Sequence, residues 1–187
     1  AICIVDGVNF LDQVEDIETV VRQLKFAHLV IVSKVDLIDE EMLQRVKEKI
    51  HTINSRVEIA ISRNGTYDFR FVEKDLMKED WLGEETTNTP ENRPKTLSLT
   101  YEGKITRKQL TDFLDLIKGD SYRIKGFFRL EDGWNQVDVV GKKIDYKKTE
   151  TEKRDSELVI ISKIGTQIIR PTFSAWETTV GTEMKLR

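Results

Sequence analysis

A short polar segment, Ser33-Lys34-Val35-Asp36, follows directly on an apolar run and has the clearest chemical potential in the sequence. A Lys-x-Asp step just beyond the carboxyl end of a parallel strand lies where open α/β sheets bind ligands. There the Asp36 carboxylate can accept two hydrogen bonds from the N1–H and exocyclic amine of guanine, while the stem of Lys34 lies along the base plane. Adenine lacks this pair of donors. The alternative is a solvated strand-to-helix loop, and the tripeptide alone leaves both interpretations open.

The elements around this segment predict a parallel sheet. Apolar runs over residues 1–6, 28–33 and 57–61 predict strands, and residues 12–26 and 40–53 show helical spacing with Asp12 as the expected N-cap of the first helix. Alternation of strands and helices is typical of a parallel sheet with helices on its faces. The N-terminal part is therefore predicted to be the C-terminal half of a doubly wound α/β domain.

The first strand raises a separate question. Residues 1–6 form a continuous apolar run that ends in Asp6, which predicts a strand buried on both faces of the sheet. A natural protein seldom opens inside a buried central strand, so we expect the chain to be a piece of a longer protein. The alternative is that this strand lies at the edge of the sheet and that the protein begins at residue 1.

The C-terminal half predicts a small α+β domain with an antiparallel sheet. Strands are expected over residues 96–101, 122–130, 134–140 and 158–164, with a short strand over 142–146 and a helix over 106–117. Asp132-Gly133 predicts a two-residue hairpin turn. The mixed charges of residues 146–155 indicate a solvated loop. A final helix is expected to begin near Pro171 and to carry Phe173 and Trp176.

A change in composition predicts the domain division. Residues 78–94 are charged and polar and contain Pro90 and Pro94, so they cannot bury enough apolar surface to pack alone. The predicted domains are a partial α/β domain over residues 1–78, a linker over 79–94 and the α+β domain over 95–187.

Bulk properties exclude several function classes. Acidic residues number 33 against 30 basic ones, and a net charge of -3 provides no field to gather nucleic acid or anionic lipid. No apolar run approaches the roughly 20 residues that span a bilayer, and the N-terminus lacks the order of a signal peptide. One cysteine, Cys3, has no intrachain disulfide partner and fits a reducing compartment. We expect a cytoplasmic protein that binds neither nucleic acid nor membrane.

Candidates for metal and phosphate binding are weak in this sequence. Cys3, His28 and His51 are scattered, without the spacing of a metal site, so the sequence predicts no metal site in this chain. The pairs at 103–104 and 141–142 are Gly-Lys steps without the second glycine and the following Ser or Thr of a phosphate-binding loop. Asp6 could face a nucleotide or cap a turn. Arg123 and Lys125 share a strand face, where pairing with acids across the sheet is favoured over a role for a partner.

Several motifs together resemble the CobW family of GTPases, relatives of the nickel-insertion GTPases of urease and hydrogenase maturation. They are residues 4–10, Ile-Val-Asp-Gly-Val-Asn-Phe; residues 23–27, Gln-Leu-Lys-Phe-Ala; and residues 33–37, Ser-Lys-Val-Asp-Leu, where the family usually has Asn-Lys-x-Asp-Leu. In the second half, Arg123-Ile-Lys125-Gly126 is similar to the Arg-x-Lys-Gly strand of the family. The resemblance covers nearly the whole chain.

The resemblance implies a guanine site formed by Ser33, Lys34, Asp36 and Ser62, with GTP or GDP as ligand and no catalytic residue in this chain. The phosphate loop, the Mg²⁺-binding segments and a Cys-x-Cys-Cys motif for a metal such as Zn or Co would lie upstream of Ala1. This chain alone is therefore predicted to be inactive as a GTPase. Ser33 in place of Asn supplies only part of the usual bonding and weakens the base site.

Two functions follow from these expectations. The first is part of a GTP-dependent metal chaperone or cobalamin-related assembly factor, whose C-terminal domain serves a metal-requiring client protein. The second is a nucleotide-independent protein-interaction module with a vestigial GTPase half. The sequence does not specify the metal, the client or the oligomeric state.

Overall fold

The computed structural model describes residues 1–67, 93–150 and 153–187, which fall into two compact units, Ala1–Glu85 and Thr86–Arg187. The predicted linker, residues 79–94, lies outside the described residues except for Arg93 and Pro94. Its boundaries therefore stay a prediction. Within the described ranges, no helix has the length and apolar character needed to cross a membrane.

The first unit is an α/β layer built on a parallel sheet. Its elements run β1 (Ile2–Asp6), α1 (Phe10–Asp16), α2 (Glu18–Lys25), β2 (Leu29–Ser33), α3 (Glu40–Ile53) and β3 (Glu58–Ile61). The strand order is β1-β2-β3, and both pairings are parallel. The central strand β2 is apolar and buried apart from its last residue, as expected for a strand covered on both sides. The predicted α/β class is confirmed.

The three helices pack against one face of this sheet. Residues 3 and 5 of β1 and residues 30 and 32 of β2 join one core with the apolar residues of α1, α2 and α3. Because side chains alternate along a strand, Ile2 and Ile4 point to the opposite face, where they are 50% and 71% exposed. The prediction of burial on both faces is therefore wrong for β1, which is an edge strand of the described sheet.

The predicted helix over residues 12–26 is two helices. Ile17 has an extended backbone, with φ −125° and ψ 100°, and it ends α1 and precedes α2. The first helix starts earlier than expected because its N-cap is Asn9, so Asp12 lies within its first turn. Apolar periodicity does not indicate a one-residue break between two helices that face the same core. The third helix has the predicted bounds, and the side chain of its N-cap Asp39 accepts a hydrogen bond from the Met42 N–H at 2.8 Å.

The second unit is a six-stranded antiparallel sheet with helices on one face. Its elements run β4 (Thr96–Tyr101), α4 (Arg107–Ile117), β5 (Ser121–Leu130), β6 (Gly133–Val140), β7 (Lys143–Lys148), β8 (Ser156–Ser162), α5 (Ile169–Thr179) and β9 (Lys185–Leu186). The strand order is β7-β6-β5-β8-β4-β9. All the predicted helices and strands exist, and the antiparallel α+β class is confirmed. The predicted solvated loop over residues 146–155 is wrong at its start, because β7 continues to Lys148.

An apolar core joins the two helices to the inner face of this sheet. Trp176 on α5 makes edge-to-face contacts with Tyr101 and Phe113, whose ring centroids lie 5.1 and 5.2 Å away. Its indole N–H donates to the Thr182 carbonyl at 2.7 Å. Pro171 is tolerated because it lies in the first turn of α5, where backbone N–H groups have no intrahelical acceptor. The predicted helix is confirmed, although Phe173 is 48% exposed.

Two backbone details shape the centre of the second sheet. The hairpin between β5 and β6 pairs Leu130 with Gly133, so its two turn residues are Glu131 and Asp132. The predicted turn Asp132-Gly133 is wrong by one residue, because Gly133, with φ 113°, begins β6. In β5, a Cβ on Gly126 would lie 1.9 Å from the Glu157 carbonyl oxygen of β8. Only glycine permits this close approach of the two strands.

Candidate functional site

The predicted ligand-binding residues lie at the carboxyl edge of the parallel sheet. Parallel strands end at the same edge, so Asp6 at the end of β1, Ser33 at the end of β2 and Ser62 after β3 are neighbours in the sheet. The backbone there is continuously bonded, because the Gly7 N–H donates to the Ser33 carbonyl at 3.0 Å and the Ser62 N–H donates to the Val32 carbonyl at 2.8 Å. This edge is where open α/β sheets bind ligands.

The loop that leaves β2 is tightly constrained. Lys34 has a left-handed backbone, with φ 58° and ψ 28°, and leads into a single 3₁₀ turn over Val35–Leu37. Val35 is buried in the helix-side core, whereas Asp36 is exposed. A non-glycine residue in the left-handed region costs about 1–3 kcal/mol and persists only where the surrounding structure holds it. The loop therefore anchors one apolar side chain and presents the carboxylate that follows it.

Ser33 is engaged inside the sheet. Its hydroxyl donates a hydrogen bond of 2.9 Å to the Val5 carbonyl of β1. A serine hydroxyl has one donor, and here that donor is directed to the neighbouring strand. Ser33 thus ties the two strand ends together in this structure.

The Lys34 ammonium is paired with the Asp6 carboxylate at 2.8 Å. The same carboxylate accepts hydrogen bonds from the Asn9 side-chain amide and the Val8 backbone N–H, both at 3.0 Å. Burial alone would raise the pKa of Asp6, but the bonds from Lys34, Asn9 and Val8 together outweigh it and leave that pKa below its ordinary value. Asp6 therefore caps the turn after β1 and, at the same time, orients Lys34.

The Asp36 carboxylate is also oriented by the backbone. Its Oδ1 accepts a hydrogen bond of 3.1 Å from the N–H of Asn64, which follows β3. Asn64 and Gly65 both have left-handed backbones, with φ 50° and 74°, and form a tight turn between Arg63 and Thr66. A carboxylate has about four acceptor positions, so one bond fixes its orientation and leaves capacity for the two parallel donors of a guanine edge.

Sequence reasoning found five of the residues at this edge, Asp6 among them, and missed two of the contacts that support them. Ser62 is 5% exposed, which makes it a part of the buried strand end rather than an open binding group. The Lys34–Asp6 pair and the contact of Asn64 with Asp36 were not predicted. The Asn64-Gly65 dipeptide is an ordinary turn signal and could have indicated the second support. The first joins residues 28 positions apart and has no local signal.

The remaining candidates are not brought to this edge. Cys3 is half-buried against the helix-side core, and burial raises the pKa of its thiol. His51 is exposed on α3, and His28 precedes β2. Among residues 1–67, 93–150 and 153–187, no group of three or more His, Cys, Asp and Glu side chains could hold a metal ion. Arg123 pairs with Asp138 across β5 and β6 through two hydrogen bonds of 3.0 and 2.7 Å, as predicted, whereas Lys125 on the same strand face forms no ion pair within the described residues.

Together, the parallel sheet and its polar edge define the first unit as an open α/β unit of the nucleotide-binding type, followed by an antiparallel α+β domain. Comparison with known families gives a more specific assignment. Residues 1–60 match the family described as CobW/HypB/UreG, nucleotide-binding domain, and residues 95–176 match the cobalamin synthesis protein cobW C-terminal domain. The chain belongs to the CobW family.

Two solved structures are similar to the chain. The crystal structure of the Zn(II)-bound YjiA GTPase from E. coli is 15% identical over 95% of this chain, with a TM-score of 0.39. A Zn(II)-bound triple mutant of YjiA GTPase is 16% identical over 94% of this chain, with a TM-score of 0.38. The chain spans 60% of the length of each of these structures. No curated protein matches the chain.

Proposed function

We propose that this chain supplies the base-reading side of a guanine-nucleotide site in a GTP-dependent metal chaperone or metal-cofactor assembly factor of the CobW family. The observation that carries the proposal is the Asp36 carboxylate, presented at the carboxyl edge of the sheet and oriented by the Asn64 N–H. In this role Asp36 accepts hydrogen bonds from the guanine N1–H and exocyclic amine, and the Lys34 stem lies along the base.

The two ends of the nucleotide place different demands on the chain. Asp36 and Lys34 fit the base end, since both are exposed. The phosphate end needs glycines whose N–H groups cradle the phosphates and a lysine to neutralise them, and this sequence has no such motif. When bound in a longer protein, GTP with Mg²⁺ supplies the phosphate charge that orders switch segments and biases the C-terminal domain toward or away from a client protein. Zinc or cobalt would be cargo held by residues outside this chain.

A binding experiment on the 187-residue chain tests the base site separately from the phosphates. Saturation-transfer NMR with guanosine and with adenosine should give signals for guanosine only, because only guanine carries the donor pair that faces a carboxylate. GTP itself should bind very weakly, and tight magnesium-dependent binding in calorimetry would contradict the proposal.

The decisive variant is Asp36→Asn. The amide group of the new side chain would donate a hydrogen bond where the carboxylate accepted one, so we expect the saturation-transfer signal of guanosine to fall. The signal of xanthosine should rise, because xanthosine carries a carbonyl in place of the exocyclic amine. The matched control is Asp12→Asn, which makes the same charge change on α1 of the same unit. If Asp36→Asn leaves the order of guanosine over adenosine unchanged, the assignment of the base site is wrong.

The second candidate function is a nucleotide-independent interaction module, and one observation favours it. The Ser33 hydroxyl is directed to Val5 and the Lys34 ammonium to Asp6, so both groups are used within the protein. Absence of any contact with all three nucleosides in the wild-type chain would support this second function. Contact with guanosine alone would exclude it.

A further inference from the structure

A basic concavity lies on the outer face of the antiparallel sheet, the face opposite α4 and α5. It has a volume of about 610 Å³ and is lined by strands β4, β5 and β8, by the loop before β8 and by the last residue of the chain. Its lining includes four cationic side chains, Lys125, Lys153, Arg154 and Arg187. Its carboxylate side chains are those of Asp155 and Glu157, so the side chains of the concavity carry a net positive charge on a chain that is acidic overall.

Each carboxylate of the concavity has one internal partner but keeps its negative charge. The Glu157 carboxylate accepts a hydrogen bond of 2.8 Å from the Ser98 hydroxyl, and Asp155 lies 3.8 Å from the Arg154 guanidinium. Lys125 is opposite Asp138 in the strand register, but Asp138 is held by Arg123 through two hydrogen bonds. Within the part of the chain that the structure describes, Lys125 forms no ion pair. The Lys125 residue is exposed, and its charge helps the Arg123 hydrogen bonds to lower the pKa of Asp138.

An apolar surface lies among these cations. Phe127 is half-buried in the wall of the concavity, and the Lys153 ammonium lies over its ring at 5.1 Å from the centroid. Val159 on β8 is 40% exposed beside it. Cations around an apolar centre favour a ligand that combines negative charge with an apolar or aromatic group.

We propose that this concavity binds an acidic peptide segment of a partner protein, in which glutamate or aspartate residues flank an apolar residue. The carboxylates would pair with Lys125 and Lys153, and the apolar residue would contact Phe127 and Val159. A phosphate group is a poorer fit, because it would leave the apolar surface of Phe127 and Val159 uncovered. The proposal goes beyond the guanine site and does not depend on nucleotide binding.

The test uses the ¹⁵N-labelled 187-residue chain and a peptide of alternating glutamate and phenylalanine residues. We expect backbone shifts at Thr100, Gly126 and Val159 that titrate with the peptide and weaken as salt is added. A peptide with serine in place of each glutamate should cause no shifts there. Equal shifts with the serine peptide, or stronger binding of inorganic phosphate than of the acidic peptide, would overturn the proposal.

Charge reversal locates the site. Lys125→Glu combined with Lys153→Glu should weaken binding of the acidic peptide by about tenfold or more, since two hydrogen bonds to charged groups are lost. The control is Lys104→Glu, an exposed lysine in the turn before α4, which makes a matched change outside the concavity. The double variant Lys125→Gln with Lys153→Gln removes the two charges without adding new ones, so it is less disruptive to folding. It should also weaken binding of the acidic peptide. Unchanged affinity in both double variants would refute the site.

Discussion

The Asp6 carboxylate is the best place to test whether the edge of the parallel sheet is preorganised. It accepts hydrogen bonds from the Val8 N–H and the Asn9 amide at 3.0 Å and from the Lys34 ammonium at 2.8 Å. In Asp6→Asn, the remaining carbonyl can still accept from Val8. The new amide group cannot accept from Asn9 or Lys34, so two of the three bonds are lost.

The expected cost follows from these contacts. A neutral hydrogen bond contributes about 1 kcal/mol, and an ion pair with an exposed partner contributes about 0–1 kcal/mol. Because the Lys34 side chain is 51% exposed, we place the contribution of its ion pair with Asp6 at the low end of that range. We expect Asp6→Asn to lower the free energy of unfolding of the first unit by about 1–2 kcal/mol at neutral pH. A double-mutant cycle that combines Asp6→Asn with Lys34→Met should give a coupling energy below about 1 kcal/mol.

The pH dependence separates the charge from packing. The folded-state pKa of Asp6 is lowered, so its contribution to stability is fully present above the unfolded pKa of about 3.9. That contribution is lost as the pH falls through the lower folded-state value. Urea unfolding, followed by NMR signals of β2 amides, should show the wild type and Asp6→Asn converging below about pH 4. Equal stability at pH 7, or a difference that persists in acid, would refute the reasoning.

Two further predictions concern the scaffold of each unit. Asn54→Ala removes a buried amide that donates 3.0 Å hydrogen bonds to the carbonyls of Leu24 in α2 and Ala27 just beyond it. We expect this change to lower the free energy of unfolding by about 1–3 kcal/mol in urea titrations. Gly126→Ala places a Cβ 1.9 Å from the Glu157 carbonyl oxygen and should cost at least about 1–3 kcal/mol, whereas Gly119→Ala, which meets nothing within 4 Å, should be nearly neutral. Equal thermal stability of the two glycine variants would contradict this account of the β5–β8 approach.

Local sequence patterns were sufficient for most of the elements. The helix over residues 40–53 was predicted with its observed bounds, because its apolar residues repeat at helical spacing. The β4 strand was likewise predicted with its observed bounds, because its apolar and polar residues alternate. Such signals depend on residues within a few positions of one another, so they need no tertiary information. The break at Ile17 was not predicted, because both short helices face the same core and keep one apolar pattern.

The sequence by itself identified Ser33, Lys34 and Asp36, the polar residues that follow an apolar strand, as candidates for the base site. Only the tertiary structure decided how these groups are used. The parallel register of β1 and β2 brings Asp6 to Lys34 across 28 positions, and the turn after β3 brings Asn64 to Asp36 across the same separation. The exposure of Ile2 and Ile4 was decided in the same way, by which face of the sheet the helices cover. Contacts between distant segments depend on register and packing, which no local pattern encodes.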